Sequence, residues 1–278
     1  MVDVAGEFCI DRYEVTVADY KRCSSAGKCR RPSKTVSWPN LKPDSEKLYS
    51  ALCNGDDDAM ARHPVNCVDW TAANRYCEAQ GGRLPTEAEW EFATRGPDGR
   101  RYPWGDDKPT ANDLNACGSE CAAWAKAHGT TAKTLYNDDD GYATTSPVGS
   151  FPAGASRFGP EDVVGNVWEW VADWYGPYGS ADVENPTGPA KGAKRVVRGG
   201  AFNGSFDSWV RPAYRFSAPV GQRSHAIGFR CARSTSQVVR GLLGFHRAAS
   251  RGAAGGAPEH GRGAQRPVRD GVAGARAG

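Results

Sequence analysis

Hydrophobic and polar positions alternate clearly in only a few places along this chain, and those places predict its regular elements. Glu7-Phe-Cys-Ile-Asp-Arg-Tyr-Glu-Val15 reads as a strand. Thr16 can cap a short helix from about Val17 to Ser25, with Asp19 standing where a capping box places its acid, and Gly27 stops it. From Arg30 to His63 the pattern is polar, proline-containing and aperiodic, which predicts a long surface excursion. Order returns at Pro64-Val-Asn-Cys-Val-Asp69, where Asp69 caps a helix over Trp70 to Ala79 that Gly81-Gly82 ends. Thr86 and Glu89 form a second capping box, Glu87 suits the positive end of that helix, and Gly96 marks its exit. Trp90 and Ala93 face the core of this reading.

Further on the pattern thins. Residues 96–161 read as mostly loop, and such a length needs ions, disulfides or a function to hold it. Asp162-Val-Val-Gly-Asn-Val-Trp-Glu-Trp-Val-Ala-Asp-Trp-Tyr175 fits neither a helix nor a strand period, because Trp168, Trp170 and Trp174 are too crowded for one face. Each ring must bury roughly 150–250 Å². Glu169, set between two of them, then demands a cation, either a metal ion or an arginine. Lys194 to Phe202 reads as a strand leading into a turn, and Ile227 to Arg233 as the last strand. Residues 234–278 are dominated by Ala, Gly and Arg without apolar period; they read as a disordered tail, or alternatively as the product of a frame error or read-through.

Composition changes this picture in two ways. Nine Trp, ten Tyr and nine Phe beside 34 Gly and 18 Pro predict a loop-rich fold packed by aromatic rings, not a helical bundle. A net charge of +3, concentrated in the Arg-rich tail, gives no reason to expect a nucleic-acid partner. No apolar run is long enough to span a membrane, and residues 1–8 lack the features of a signal peptide. The nine cysteines, none in a CxxC, nevertheless read as a disulfide set of an exported protein, with the true start expected upstream of Met1. Neighbours in sequence suggest Cys23–Cys29, Cys53–Cys67 and Cys117–Cys121, which spacing alone does not fix. An odd count leaves one thiol over.

Seven segments carry a resemblance: Tyr13-Glu-Val-Thr16, His63-Pro-Val65, Gly82-Arg-Leu-Pro-Thr-Glu-Ala-Glu-Trp-Glu91, Tyr102-Pro-Trp-Gly105, Val164-Gly-Asn-Val-Trp-Glu-Trp170, Arg198-Gly-Gly200 and Gly228-Phe-Arg-Cys231. In this order they resemble the sulfatase-modifying-factor family, which contains formylglycine-generating enzyme. The resemblance covers about residues 1–233. It implies an α+β domain, a variant of the C-type lectin fold with little regular structure, small sheets and long loops. It also implies a Cys77–Cys231 disulfide and leaves Cys9 over.

Two structural Ca²⁺ sites follow from the same resemblance. One would use the side chains of Asp162 and Glu169 with carbonyls of Gly165 and Val167; the other Asn112 and Asp140 with carbonyls of Asp113 and Tyr142. Hard oxygen ligands from irregular loops suit this ion. The alternative for these acids is turn capping, or pairing with Arg198 and Arg230. Family enzymes hold copper(I) with two cysteines shortly after the Arg-Gly-Gly turn, and thiolates are the appropriate soft ligands. Here Gly204 stands at the first position and Trp209 or a neighbour at the second, with Ala201 and Ala226 replacing a Ser and an Asn. Copper is therefore not expected. A family branch of iron-dependent sulfoxide synthases carries a His-x₃-His-x-Glu set, which His63, His128, His225, His246 and His260 do not reproduce. The expectation is a calcium-stabilised scaffold without formylglycine-generating activity, or alternatively an oxidoreductase of the family, either dependent on a non-heme metal or generating formylglycine on a cysteine of a sulfatase-type substrate. Its cleft would gather Trp168, Asn203, Asp207, Trp209, Arg211, Tyr214, Arg215 and His225 around a peptide, glycan or small polar ligand. His225 itself reads as a solvent-facing loop residue.

Overall fold

The computed structural model describes residues 1–178 and 185–235. Two small sheets and five short helices are joined by long loops, the α+β arrangement expected. The first sheet joins the two ends of the described chain. Strands β1 (Val2–Val4) and β2 (Phe8–Ile10) are antiparallel, and β2 pairs in turn with β7 (Ala232–Ser234), setting Ile10 against Ala232. The strand expected over residues 7–15 is thus regular for three residues. Beyond it the pairing continues irregularly, through Asp11 N to Cys231 O and Val15 N to Phe229 O.

The second sheet has the order β5-β4-β3-β6. Its centre, β3 (Trp168–Trp174), is the tryptophan stretch that fits no period in the sequence. It is a strand because both of its faces are covered, so no polar face remains to mark alternation. A register shift between Trp170 and Trp174 further redistributes the rings. Antiparallel β4 (Lys194–Arg198) sets Arg198 opposite Glu169, and β5 (Phe216–Pro219) extends the sheet. Parallel β6 (Ile227–Gly228) lies on the other side. The single last strand expected over residues 227–233 is therefore two strands in two sheets, with Phe229-Arg-Cys231 crossing between them.

Helices α1 (Val17–Ser25), α3 (Trp70–Ala79) and α4 (Glu87–Arg95) lie where their caps place them. Thr16, Asp69 and Thr86 each accept a backbone N–H of the first turn, and Thr86 with Glu89 completes the capping box. Two helices interrupt stretches read as loop. Helix α2 (Pro43–Ser50) buries no residue, so it carries no apolar stripe to read. Helix α5 (Ser119–Ala127) has no side-chain cap. Four disulfides tie these pieces: Cys23–Cys29, Cys53–Cys67, Cys77–Cys231 and Cys117–Cys121, leaving Cys9 free in β2. Cys77–Cys231 fastens α3 to the crossing before β7. The main core lies between α1, α3 and the second sheet, around Tyr20, Tyr76, Trp170 and Phe229. None of the described helices is long and apolar enough to cross a membrane. Most of the tail expected from residue 234 lies outside the described residues, although Ser234 itself belongs to β7.

Candidate functional site

The loop before β3 makes a sharp turn that only particular residues tolerate. Asp162, Gly165 and Asn166 all have positive φ, and a Cβ on Gly165 would stand 2.5 Å from the carbonyl oxygen of Asn115. The turn points Asp162 inward, where its Oδ2 accepts Gly149 N at 2.6 Å. Glu169 follows on β3, 1% exposed. The cation its burial requires is Arg230, whose Nε and Nη2 reach the carboxylate at 2.8–3.0 Å, while Trp90 Nε1 donates to it at 2.8 Å. Arg230 also donates to the carbonyls of Asp11, Arg12 and Glu161, so it ties the segment after β2 to the loop before β3.

A third carboxylate completes this cluster. Glu14 is fully enclosed and accepts Asn166 Nδ2 at 2.9 Å and Val167 N at 3.3 Å, with no salt bridge. Burial, then the charges of Asp162 and Glu169, hold its carboxyl well above the usual range. Burial likewise raises Asp162 to about 6. Glu14 lies within the Tyr13-Glu-Val-Thr16 segment, the one sequence signal that could have placed it here.

The second expected ligand set is assembled differently. Asn112 is exposed, its N–H bonds Thr110 Oγ1, and Asp113 Oδ2 accepts from Thr110. Asn115, three residues on, is the buried asparagine, and its Oδ1 has no partner. Ala116 N and Tyr136 Oη donate to Asp140 Oδ2, and Tyr142 N to Oδ1. The carboxylates of Glu120, Asp139 and Asp140 approach one another within 4.8 Å. Asp140 thus lies beside Asn115, Glu120 and Asp139, while Asn112 and Asp113 bond to Thr110.

The expected single cleft divides into separate neighbourhoods. Around Trp168 lie Trp209, Tyr214 and Phe216, with ring centroids 6.4, 6.1 and 5.6 Å away, and Phe206 packs at a tilt beyond Trp209. Phe206 and Phe216 are about half exposed, so this is an open aromatic platform. Asn203 is exposed beside it. Asp207 and Arg211 pair with each other, and Arg101 and Tyr102 close round the same carboxylate. Arg215 turns away to grip Glu87 through two nitrogens and stacks on Tyr178.

His225 corrects its sequence reading. It is buried, stacked on Tyr49 at 4.5 Å and flanked by Trp38 and Phe202, and burial lowers its pKa to about 4. Two of these rings, Trp38 and Tyr49, come from the excursion around α2, which local sequence cannot connect to residue 225. His246 and His260 lie outside the described residues.

The turn after Arg198 holds no sulfur. Gly204 is buried, with its N–H on Ala201 O, and Trp209 packs on Trp168. Eight of the nine cysteines are in disulfides, and the ninth is in β2 of the other sheet.

Comparison with known proteins bears on this arrangement. The chain is 40% identical over 185 residues to a formylglycine-generating enzyme of Streptomyces coelicolor, covering 64% of this chain and 54% of that protein. It is 35% identical over 206 residues to the mouse enzyme of the same name, covering 72% and 50%. The mouse protein named inactive C-alpha-formylglycine-generating enzyme 2 is 35% identical over 184 residues, covering 64% and 52%. The chain therefore spans about half the length of these curated relatives. Among solved structures, PvdO from Pseudomonas aeruginosa superposes with a TM-score of 0.58 at 25% identity, over 82% of this chain and 80% of that one. Residues 2–235 match the sulfatase-modifying factor enzyme 1-like domain, and the chain belongs to that family.

Proposed function

We propose that this chain is an exported member of the family that does not generate formylglycine and instead recognises a peptide, glycan or small polar ligand across the aromatic platform around Trp168. The observation that carries this reading is the turn after Arg198-Gly199-Gly200. Copper(I) needs soft thiolate ligands, and the positions the resemblance assigns to them hold Gly204 and Trp209. Every cysteine but Cys9 is already oxidised. The residues present do not fit copper. A relative named as inactive is consistent with such a loss. Four disulfides in one domain suit an oxidising, exported setting.

Calcium, by contrast, fits the donor set. Glu14, Asp162 and Glu169 place three buried carboxylates around one guanidinium, and Glu169 alone uses it. Glu14 and Asp162, with the carbonyls of Gly165 and Val167, offer the oxygen ligands a hard divalent ion takes. The Glu120, Asp139 and Asp140 group, beside the unpartnered Asn115 Oδ1, is a second candidate. In both places the ion would brace loops that have little core of their own.

A second reading, catalysis at an altered site, is favoured by the names of the relatives at 35–40% identity. One assay separates the two. A Cys-x-Pro-x-Arg peptide is incubated with the protein, copper and oxygen, and the product is examined by mass spectrometry. We expect the cysteine to remain unchanged; its conversion to the aldehyde would refute the non-catalytic reading. Elemental analysis is expected to find calcium without stoichiometric copper or iron.

A further inference from the structure

A cavity of about 910 Å³ opens between α4, the end of β3 and residues 186–189, apart from the aromatic platform and the two carboxylate clusters. That volume falls in the range of small-molecule sites, roughly 300–1,000 Å³. Its walls are mainly apolar, with Ala88 and Phe92 from α4 facing Pro177, Tyr178 and Pro189. Five charged side chains also reach it: Glu87, Glu91, Asp173, Arg95 and Arg215.

Four of these five are committed. Glu87 is held by Arg198 and by two nitrogens of Arg215, and Glu91 by Arg198 and Arg95. Arg215 also donates to Gly176 O, and Arg95 to the carbonyls of Gly99 and Arg100. Every nitrogen of both guanidiniums already donates to a partner within the chain. Asp173 differs. It is 4% exposed, and among the described residues no cation lies within salt-bridge distance of it. Its Oδ2 accepts the Glu87 N–H at 2.7 Å, which supports the start of α4, but no described group donates to Oδ1. Burial, with the charges of Glu87 and Glu89, raises its pKa to about 6. A largely enclosed carboxylate whose second oxygen has no donor among the described residues, at the edge of an apolar pocket, is a favourable partner for a cation that enters it.

We infer that this pocket binds an organic cation with an apolar body, its ammonium on Asp173 and its hydrocarbon against Phe92 and the proline walls. An anion would meet the unpaired Asp173, with both arginines already paired to Glu87 and Glu91. A neutral apolar molecule would leave Asp173 Oδ1 unmet.

The probes are 2-phenylethylamine, its neutral isostere 2-phenylethanol and the anion 3-phenylpropionate, titrated into the full chain by calorimetry and by NMR. The amine is expected to bind at least about tenfold more tightly than either analogue, a ratio that one additional charged contact can supply. Asp173→Asn keeps an acceptor for the Glu87 N–H and should bring the amine down to the affinity of the alcohol. Ala88→Trp fills the cavity from α4 and should remove binding of all three. Should Asp173→Asn fail to fold, the amine-to-alcohol ratio and Ala88→Trp still decide. The inference is overturned by equal affinities for amine and alcohol, by undiminished amine binding in either folded variant, or by no binding of the amine at millimolar concentration.

Discussion

Glu169 and Glu14 are buried in the same cluster, yet their surroundings are opposite. Glu169 receives Arg230 through two nitrogens and Trp90 through a third donor. Glu14 receives only the amides of Asn166 and Val167, with Asp162 and Glu169 adding like charge. One carboxylate is complete within the chain; the other is complete only with a proton or a further cation. The first arrangement ties β3 and the loop before it to the segment after β2. The second must either stay protonated or gain a cation, because a desolvated, uncompensated charge is too unfavourable to persist.

The strongest way to break the contrast is to turn Glu169 into a second Glu14. Arg230→Met keeps length and apolar bulk but leaves Glu169 buried without its cation, and it frees three carbonyls that Arg230 now satisfies. Breaking a buried pair from one side costs about 3–5 kcal/mol. Urea denaturation of the variant should show a loss of this size. A loss below about 1 kcal/mol would mean that Glu169 finds another partner.

His225 sharpens the contrast from the basic side, as a buried group that remains neutral by losing a proton. Its folded pKa is about 4, against 6.5 for an unperturbed histidine. The unfolded chain takes up a proton below about pH 6.5 that the native state refuses until about pH 4. Stability from this residue is therefore complete above pH 6.5 and is lost as pH falls through that window, by roughly 3 kcal/mol. Raised carboxylates such as Asp173 act in the opposite direction, so the measurement is the difference between wild type and His225→Gln, followed from pH 7 to pH 4. Parallel pH profiles for the two proteins would show that His225 is solvated in the native state.

How much of this was legible in the sequence depends on how far each signal reaches. Helices α1, α3 and α4 have the bounds their caps and stop glycines announce, because a cap is a contact over three residues. Strand β3 hid because both its faces are covered, and α2 because none of its residues is fully buried. The demand for a cation at Glu169 followed from burial alone; the choice of Arg230 over a metal needed the crossing of residues 229–231 between the sheets. Asn112 and Asn115 are equally plausible in sequence, and only the fold shows which one turns inward. The cleft residues could not be sorted in advance, since Arg215 is drawn away by Glu87 on α4 and His225 is covered by rings from the excursion around α2.

Calcium tests the other half of the contrast. At a concentration one hundred times its dissociation constant, an ion that binds only the native state stabilises by about 2.7 kcal/mol. Thermal unfolding in calcium should exceed that in EDTA accordingly, and Glu14→Gln should remove most of the increment while Arg230→Met leaves it measurable. The readout is the calcium-dependent part of stability, so any basal loss in Glu14→Gln does not enter it. An undiminished increment in that variant would move the ion to the Glu120, Asp139 and Asp140 group.

The smallest expected effect is the most informative about burial itself. Arg83 grips Glu89 through two nitrogens, both at 2.6 Å, a geometry as close as that of Arg230 on Glu169. The Arg83 side chain is 37% exposed, whereas that of Arg230 is 0%. Water and salt can replace the missing partner at the first pair and not at the second. Arg83→Met should therefore cost no more than about 1 kcal/mol, and less at high salt, despite its matching fork. If the two arginine variants lost equal stability, the geometry of the pair rather than its enclosure would set the strength of this core, and Glu14 would no longer stand out for lacking a guanidinium.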